Sequence, residues 1–455
     1  MSVDWDAVGL EAAKLLSGYL RVRSVNPPGD EQLAADYLAS LLRERGFEPI
    51  VWQPAPGRAN LLARLRGDGS RGGIILNHHM DVVAAAPERW SVDPFGGETR
   101  DGYVWGRGAL DMKGAGIMHL LALDLLRRDG WPLARDVMLL ALSDEEAGSR
   151  MGSHWVLTQH ADDLRAEYVW DEGGFGLKDA FGQGVHFLVA VAEKCPLWLR
   201  LVVEGRPGHG GIPQAQNPAQ VLVAALERVR RHRWPLFAHP VVCELLRSIA
   251  ALQPVPQRWL LRHMHLAPVL LLAGRALLKE PALQAILQDT VSLTGLKAGA
   301  KENVIPQRAE AVLDVRLLPG HEPQAFVAEL ERVLADERVQ VQVVQLPEPG
   351  SVTTCNGDPM YAALRKHCQQ LSPGSCVAPL LTPGATDSAV FRQHGFKTFG
   401  LFPAVVTSVE LARFHGIDER ISIQNLAFGT RLVYEVLREM CQSAEDGDSP
   451  VSSPG

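Results

Sequence analysis

The chain reads VMLLALSDEEAG over residues 137–148, an apolar run that ends in two adjacent glutamates. The continuous apolar run of residues 137–142 predicts a buried strand of a parallel sheet. Ligands of open α/β sheets bind just beyond the carboxyl ends of such strands. Glu145 and Glu146 lie at that end, where two carboxylates repel each other unless a cation or a proton separates them. The pair therefore indicates a metal with a base beside it, or alternatively an acidic turn that opens a helix.

Three further segments place histidines and carboxylates at comparable positions. Residues 73–81 read GIILNHHMD and residues 168–174 read YVWDEGG, so both are apolar runs that end in polar side chains. Residues 105–114 read WGRGALDMKG, a glycine-rich turn that presents Asp111 before a long apolar helix. Because the carboxyl ends of parallel strands meet at one edge of a sheet, we expect these side chains to share one crevice.

The composition is that of an ordinary globular protein. A chain of 455 residues exceeds what one hydrophobic core usually supports, so two domains are expected. Apolar residues make up 46% and charged residues 21% of the chain, which is typical of globular domains. The net charge of −7 and the pI near 6.1 provide no basic footprint for nucleic acid. DNA and RNA are therefore not expected as partners.

Three features bear on cellular location. The six cysteines lack a paired two-residue spacing, which argues against a zinc ribbon or a disulfide scaffold. The acidic residues Asp4 and Asp6 lie near the N-terminus, where a signal peptide has positively charged residues. The most apolar internal stretch, residues 266–274, is far shorter than the roughly 20 residues that a membrane span needs. These features predict a cytoplasmic protein without a membrane span.

Strand and helix alternate through the first part of the chain. Helices are predicted near residues 7–21 and 31–45, and strands near residues 48–52 and 60–65, before the strands already described. Such alternation predicts an α/β fold in which a doubly wound mixed sheet carries helices on both faces.

The pattern changes after Glu193. From there the chain predicts the order strand, helix, strand, strand, helix, strand, a small α+β module of the ferredoxin-like kind, with a leucine- and arginine-rich helical stretch at residues 239–289. We predict a main domain in two parts, residues 1–193 and 351–441, an inserted domain, residues 194–350, and a disordered tail, residues 442–455.

The histidines and carboxylates at the strand ends suit a dinuclear hydrolytic site. Such a site needs one carboxylate shared by two ions about 3.5 to 4 Å apart, and a free base for the attacking water. We expect His79 to bind one ion, Asp81 to orient the imidazole ring and Asp111 to bridge the ions. One of the two glutamates is expected to bind metal and the other to act as base, because neighbours leaving a strand point in opposite directions. A second histidine must come from later in the chain.

These runs resemble the metallopeptidase family that includes aminoacylase, glutamate carboxypeptidase, succinyl-diaminopimelate desuccinylase, carnosinase and yeast carboxypeptidase S. The resemblance spans nearly the whole chain and follows the order of the family's motifs. It is carried by residues 79–83, 106–114, 143–148, 171–173, 208–209, 301–306, 314, 316, 384–388 and 415–421.

The resemblance implies a role for each residue of the site. It implies that His79, Glu146 and His415 are metal ligands and that Asp111 bridges. Asp81 becomes the catalytic partner of the histidine, and Glu145 the general base.

One ligand position has two alternatives. Family members place an acid at the end of the next strand, where this chain has both Asp171 and Glu172. Alignment on the Glu-Gly step favours Glu172, and alignment on the first acid favours Asp171. We predict that only one binds metal, and prefer Glu172.

The resemblance also implies roles for the inserted domain. In the family this domain acts as a lid over the catalytic domain and as a dimer interface, and its histidine, here His209, polarises the scissile carbonyl. Asn303, Arg316 and the loop with Gly384 and Thr386 match positions that hold the substrate's carboxylate and backbone. The planar fork of an arginine suits a carboxylate; the less favoured alternative for Arg316 is a surface residue of a strand.

The length of the helical stretch at residues 239–289 resembles the branch of carboxypeptidase S and the N-acyl-amino-acid hydrolases. This implies a metal-dependent homodimeric hydrolase that cleaves an amide bond next to a free carboxylate, in a short peptide or an N-acyl amino acid. The family uses two Zn²⁺ per subunit, and carboxylate and imidazole ligands also suit Mn²⁺ or Co²⁺. The alternative is a non-catalytic, metal-stabilised binding protein of the same fold.

Overall fold

A computed structural model of the chain describes residues 3–178, 181–182, 184–251, 253–345 and 350–442. The chain forms two compact units. Unit 1 comprises Met1–Val191, Thr353–Leu380 and Thr386–Gly455, and unit 2 comprises Ala192–Val352 and Leu381–Ala385. The predicted disordered tail lies outside the described residues except for Gln442, which forms a β-bridge with Leu133.

The strands of the described residues are β1 Ile50–Ala55, β2 Arg58–Leu65, β3 Gly73–His79, β4 Glu98–Arg100, β5 Tyr103–Trp105, β6 Val137–Leu142, β7 Ala166–Asp171, β8 Gly176–Lys178, β9 Val185–Glu193, β10 Cys195–Glu204, β11 Gly208–His209, β12 Thr290–Ala298, β13 Val304–Ile305, β14 Arg308–Leu317, β15 Val339–Gln345, β16 Cys376–Thr382, β17 Lys397–Gly400, β18 Val405–Thr407 and β19 Arg420–Ser422.

The α-helices of the described residues are α1 Trp5–Arg21, α2 Glu31–Glu44, α3 Lys113–Asp129, α4 Ser153–Gln159, α5 Pro218–Arg231, α6 Pro240–Ala250, α7 Val255–Arg262, α8 Ala267–Leu277, α9 Pro281–Leu287, α10 Pro323–Leu334, α11 Pro359–Leu371, α12 Asp387–Gln393, α13 Ser408–Leu411 and α14 Ile423–Cys441. None of them has both the length and the hydropathy that crossing a bilayer requires.

Unit 1 is built on a mixed sheet with the strand order β1-β2-β6-β3-β7-β17-β9-β8-β18, and β16 also pairs with β9. The strand β6 is parallel to β3 but antiparallel to β2, so the prediction of a parallel environment holds on one side only. Helices α1, α3 and α14 pack together, and α3 also contacts β3 and β6, while α4 and α12 pack with each other. The doubly wound α/β fold is confirmed.

The strand β6 is apolar along its whole length because both of its faces are covered. Met138, Leu140 and Leu142 belong to a core cluster that also contains Val156 of α4 and Phe391 of α12. All six residues of β6 are fully buried. Burying one leucine side chain stabilises a fold by about 1.5 to 3 kcal/mol, so this strand is a rigid support for the residues that follow it.

Unit 2 contains a four-stranded antiparallel sheet with the order β12-β14-β10-β15. Along the chain these elements follow as β10, α5, β12, β14, α10 and β15, which is the predicted ferredoxin-like order. Alternate residues of β10, from Leu197 to Val203, are buried beneath α5 and α10. The predicted helical stretch between α5 and β12 consists of α6 to α9. The strand predicted at residues 304–317 is divided into β13 and β14 around Pro306.

Candidate metal centre

The adjacent strands β6, β3 and β7 are parallel, so their carboxyl ends meet at one edge of the sheet in unit 1. This edge carries His79 at the end of β3, Glu145 and Glu146 after β6, and Glu172 after β7. Asp111 reaches the same place from the turn between β5 and α3. The topology therefore brings together the segments that the sequence analysis singled out.

Asp111 lies between two histidines. Its Oδ1 atom is 3.0 Å from Nε2 of His79, and its Oδ2 atom is 2.6 Å from Nε2 of His415. Each histidine has a second carboxylate nearby, since Nε2 of His79 is 3.7 Å from Oε1 of Glu172 and Nε2 of His415 is 3.4 Å from Oε2 of Glu146. One carboxylate that faces a separate ligand pair with each oxygen is the arrangement that a bridging ligand requires.

Two groups of potential ligands meet the distances of a metal site. Among the described residues, ligand atoms of His79, Glu145 and Glu172 lie within 4.8 Å of one another, as do those of His79, Asp111 and Glu146. No Lys or Arg forms an ion pair with any of these carboxylates within the described part of the chain. The Oε1 atom of Glu146 is buried without a hydrogen-bond partner. The donor set therefore fits a divalent cation, which would supply the missing positive charge.

The proton affinities of the site point to the same excess of negative charge. Burial and the charge of Glu172 raise the pKa of Glu145 well above its ordinary value. Burial likewise raises the pKa of Glu172. Hydrogen bonds to Asp111 and Glu146 raise the pKa of His415 to about 10. Protons are therefore held at positions where a cation would neutralise the carboxylates.

Asp81 does more than contact the neighbouring imidazole. Nδ1 of His79 is 2.9 Å from the backbone carbonyl of Asp81 and 3.6 Å from its carboxylate Oδ1 atom, so the carbonyl is the nearer partner of the ring. The carboxylate accepts hydrogen bonds from the backbone N–H groups of Glu145 and Glu146 and from the side chain of Asn26, at 2.8 to 3.2 Å. One acid thus positions both the histidine and the glutamate pair.

The sequence analysis assumed that the two glutamates continue the alternation of the strand. They do not, because the chain turns after Leu142. Asp144 has φ of +70°, and residues 145–147 form one short 3₁₀ turn before Gly148. The different directions of the two carboxylates therefore arise from this turn rather than from strand pleating. Asp144 accepts hydrogen bonds from Asn26 and Arg58, which anchor the turn from behind. Asn26 was missed by the sequence analysis because it precedes the first strand and carries no motif.

Glu419 holds the loop that presents Asp111. Its fully buried carboxylate accepts hydrogen bonds from the backbone N–H groups of Gly108, Leu110 and Asp111, and it forms an ion pair at 2.7 Å with Arg107. A single side chain therefore fixes the backbone on both sides of the turn. Glu419 belongs to the run of residues 415–421 that carried the resemblance, but the sequence offered no sign of its partners.

The geometry separates the two acids at the end of β7. The carboxylate of Asp171 accepts hydrogen bonds from Nδ2 of Asn77 at 2.9 Å and from Oγ of Ser388 at 2.7 Å. Glu172 instead lies near His79. Asp171 is thus placed as a structural hydrogen-bond acceptor, and the ligand alternative that used it does not agree with the geometry.

Unit 2 brings two of the predicted substrate residues together. His209 pairs with Val304 across β11 and β13, and the N–H of Gly210 donates to the carbonyl of Asn303 at 2.8 Å. Nδ1 of the exposed His209 accepts a hydrogen bond from the N–H of Gly211 at 3.1 Å. With Nδ1 as the acceptor of this contact, Nε2 is the ring atom available as a donor.

The other predicted substrate residues have different surroundings. The guanidinium of Arg316 binds both carboxylate oxygens of Asp314, at 2.8 and 3.1 Å. Gly384 belongs to unit 2, whereas Thr386 belongs to unit 1, where its hydroxyl caps α12 by accepting from the N–H of Ser388. The geometry therefore groups His209 with Asn303 but does not place the other three residues beside them.

Comparison with known proteins shows that the chain is similar in sequence to enzymes. It is 31% identical to human N-fatty-acyl-amino acid synthase/hydrolase PM20D1 over 391 residues, which cover 85% of this chain and 76% of that protein. It is 30% identical to human aminoacylase-1 over 415 residues, which cover 90% of each chain.

Solved structures share the fold at lower identity. The M20 family metallo-carboxypeptidase Sso-CP2 from Sulfolobus solfataricus matches with a TM-score of 0.72 and 19% identity, over 94% of this chain and 98% of the other. Human carnosine dipeptidase 1 matches with a TM-score of 0.66 and 19% identity, over 96% and 97%. The family model of Peptidase family M20/M25/M40 matches residues 75–439. The chain is therefore a metal-dependent hydrolase that belongs to peptidase family M20/M25/M40.

Proposed function

We propose that the protein hydrolyses N-acyl amino acids to a carboxylic acid and a free amino acid. The observation that carries this proposal is the position of Asp111 between two histidines, with Glu145 beside them. The substrate class is supported by two relatives whose names refer to acylated amino acids, at 30% and 31% identity. Both relatives are named as enzymes, which gives no support to a non-catalytic binding protein. Carboxypeptidase action on short peptides is the second candidate, because it needs the same amide next to a free carboxylate.

The ligands are assigned from the distances. His79, Asp111 and Glu172 would hold one ion, and Asp111, Glu146 and His415 the other. We propose two Zn²⁺ per subunit, with Mn²⁺ or Co²⁺ as alternatives that suit the same donors. When bound, the metals polarise the scissile carbonyl and acidify the attacking water.

Glu145 is proposed as the general base. Its side chain forms no hydrogen bond or ion pair with the described residues, although it lies close to His79 and Glu172. Its pKa is raised by burial, which makes the carboxylate a stronger proton acceptor than an exposed one. We expect it to take a proton from the attacking water and to return it to the leaving nitrogen as the amide bond breaks.

His209 and Asn303 are proposed to bind the substrate's carbonyl and carboxylate. The hydrogen bond from Gly211 leaves the proton of His209 on Nε2, where it can be donated to a carbonyl oxygen. Arg316 is proposed as a further contact for the substrate carboxylate, shared with Asp314. Gly384 and Thr386 remain proposals from the family resemblance.

A homodimer through unit 2 is proposed as the assembly. The strand β12 is an edge of its sheet, and Leu293 and Leu296 on it are about half exposed. They line a groove of 1110 Å³ together with Val223 of α5. An open strand edge beside exposed apolar side chains favours pairing with a second copy. Sedimentation velocity of a Leu296→Lys variant tests this, with a monomer as the expected result.

The predicted cytoplasmic location stays a proposal. Cys368 and Cys441 are buried thiols rather than partners in disulfides, as a reducing compartment allows.

The substrate proposal is tested with the full chain and matched substrates. N-acyl amino acids with short and long acyl groups are compared with dipeptides that carry the same C-terminal residue, and release of the free amino acid is measured. We expect the highest kcat/KM for an N-acyl amino acid and loss of activity after chelation. Faster cleavage of the matched dipeptides would favour the carboxypeptidase, and activity that survives chelation would contradict the metal mechanism.

A further inference from the structure

A long basic segment stands out in an otherwise acidic chain. Residues 245–279 contain no Asp or Glu, yet they include Arg247, Arg258, Arg262, Arg275 and Lys279, whereas the whole chain carries a net charge of −7. The segment lies in the helical insertion of unit 2, between α5 and β12. Neither the metal centre nor the proposed substrate residues use it.

The same segment exposes large apolar side chains. Leu272 is 83% exposed, Val255 74%, Leu271 61%, Trp259 55% and Leu266 43%. We call these five residues the α7–α8 face. Scattered single apolar residues are normal on a protein surface, but five within 18 positions form a group that marks a binding surface.

The α7–α8 face follows from helical periodicity. Val255 and Trp259 are four residues apart on α7 and share one side of that helix. On α8 the exposed Leu271 and Leu272 lie opposite Val269, Leu270 and Ala273, which are buried. The helix is therefore held to unit 2 by one side and presents leucines on the other.

Ring contacts run from α7 into the turn that follows it. The ring of Trp259 stacks on that of His263, with centroids 4.5 Å apart, and His263 contacts the ring of His265. The N–H of Leu266 donates to the carbonyl of His263 at 2.9 Å. These contacts hold the turn in which Leu266 lies, directly before α8.

Three cations near the face have no acidic partner among the described side chains. Within the described residues Arg258, Arg262 and Lys279 form no ion pair, whereas Arg230 and Arg231 of α5 both pair with Glu227. Tryptophan and leucine flanked by arginine and lysine is the composition of helices that lie in a bilayer interface, with basic groups on the anionic headgroups. Nucleic acid would match the charge but not the exposed leucines, and a second copy of the chain is the alternative occupant that the experiment below distinguishes.

We propose that the α7–α8 face binds an anionic lipid surface, so that the protein acts while attached to it. The face adds a binding function to the proposed hydrolysis and does not depend on the identity of the substrate. The leucines and the tryptophan enter the interfacial layer, while Arg258 and Arg262 contact lipid phosphates.

Co-sedimentation of the full chain with vesicles tests the proposal. We expect binding to vesicles of phosphatidylcholine mixed with phosphatidylglycerol to exceed binding to phosphatidylcholine alone by about tenfold or more, and to weaken with added salt. A Trp259→Ser/Leu272→Ser variant is expected to lower partitioning by about tenfold, and an Arg258→Gln/Arg262→Gln variant to abolish the preference for phosphatidylglycerol. Leu271 of the face also lines the groove beside β12 and is left unchanged, whereas none of the four substituted residues lines that groove.

A matched control distinguishes the face from exposed apolar residues in general. Leu10→Ser/Ile50→Ser changes two exposed residues of unit 1 and is expected to bind vesicles like the wild type. All variants are expected to hydrolyse a water-soluble substrate at the wild-type rate, which shows that they fold. Absence of vesicle binding by the wild type would overturn the proposal, as would undiminished binding by Trp259→Ser/Leu272→Ser. So would conversion of a dimer to a monomer by that variant, which would identify a second copy as the occupant.

Discussion

Glu145 and Glu146 are neighbours in the chain, but different groups surround their carboxylates. Oε2 of Glu146 lies 3.4 Å from His415, and its buried Oε1 atom has no partner. Glu145 lies by His79 and Glu172 without a side-chain hydrogen bond. We therefore expect substitutions of the two residues to have separable effects on metal binding and on turnover.

Glu145→Gln is expected to lower kcat by about 10² to 10⁴ while leaving metal content unchanged, because an amide cannot take up the proton of water. Glu146→Gln is the matched control, and it is expected to lose bound metal as well as activity. Steady-state kinetics and metal analysis of the purified variants check both expectations. Loss of metal from Glu145→Gln would instead make that residue a ligand.

Asn26→Ala is expected to lower kcat with little change in KM, because the amide of Asn26 joins Asp81 to Asp144 behind the glutamate turn. Loss of these buried hydrogen bonds is also expected to destabilise the fold by about 1 to 3 kcal/mol. If Asn26 acts by positioning Glu145, its effect on kcat should shrink in a Glu145→Gln background, which a double-mutant cycle measures. Additive effects in that cycle would show that Asn26 acts independently.

Single residues also show where prediction from sequence stops. His79 and the glutamate pair were singled out because they stand at the ends of apolar runs, and Asp111 because it stands in a glycine-rich turn before an apolar helix. Asn26 and Glu419 were missed because their contacts join residues that lie between 55 and 312 positions apart. A hydrogen bond of that kind leaves no local pattern in the sequence.

At the scale of elements, the strand β6 was predictable and the turn after it was not. Six consecutive apolar residues give a doubly covered strand. The direction of Glu145 and Glu146 depends on the positive φ of Asp144, a conformation that is uncommon outside glycine although aspartate adopts it more readily than most residues. Here the turn is held by the carboxylate of Asp81, which accepts from the N–H groups of Glu145 and Glu146, and by Asn26 and Arg58, which donate to Asp144. These residues belong to other parts of the chain.

The helix α3 contains a buried histidine that makes the fold sensitive to acid. Both ring nitrogens of His119 are buried without a hydrogen-bond partner, and burial lowers the pKa of His119 to about 3. In the unfolded chain the ordinary pKa is about 6.5, so between these values the unfolded state binds the extra proton. Stability is therefore fully present above about pH 6.5 and falls as the pH drops toward 3.

His119→Leu is expected to remove this contribution, which amounts to about 2 kcal/mol between pH 7 and pH 5. Urea denaturation gives the free energy of unfolding at pH 7 and at pH 5. We expect this free energy to fall less between the two pH values in the variant than in the wild type. An equal loss in His119→Leu and wild type would contradict the expected neutral state of the buried ring.

At the scale of the molecule, the insertion of one unit into another was predictable from a change of pattern. Before Glu193 the strands are continuous apolar runs, whereas after it buried and exposed residues alternate along the strands. They alternate because helices cover one face of the sheet in unit 2. The short segment Leu381–Ala385 also belongs to unit 2, and nothing in its sequence indicates this. Membership of such a segment depends on contacts with residues far away in the chain.

Metal removal is expected to act on unit 1 alone. Both groups of potential ligands lie in unit 1, and among the described residues no such group occurs in unit 2. An ion that binds only the folded state at 100 times its Kd stabilises it by about 2.7 kcal/mol, so a chelator should lower the stability of unit 1 by that order. Hydrogen exchange with and without chelator should show faster exchange at the ends of β3, β6 and β7, and unchanged exchange in β10 and β14.

A Glu146→Gln/His415→Ala variant provides the control for metal removal. It lacks two of the proposed ligands, and its exchange should respond much less to the chelator than that of the wild type. Readdition of Zn²⁺, Mn²⁺ or Co²⁺ to the chelated wild type then ranks the metals by the protection that each restores, independently of catalysis. Equal exchange in chelated and untreated wild type would mean that hydrogen bonds between histidines and carboxylates, such as those of Asp111, are enough to hold these strand ends together.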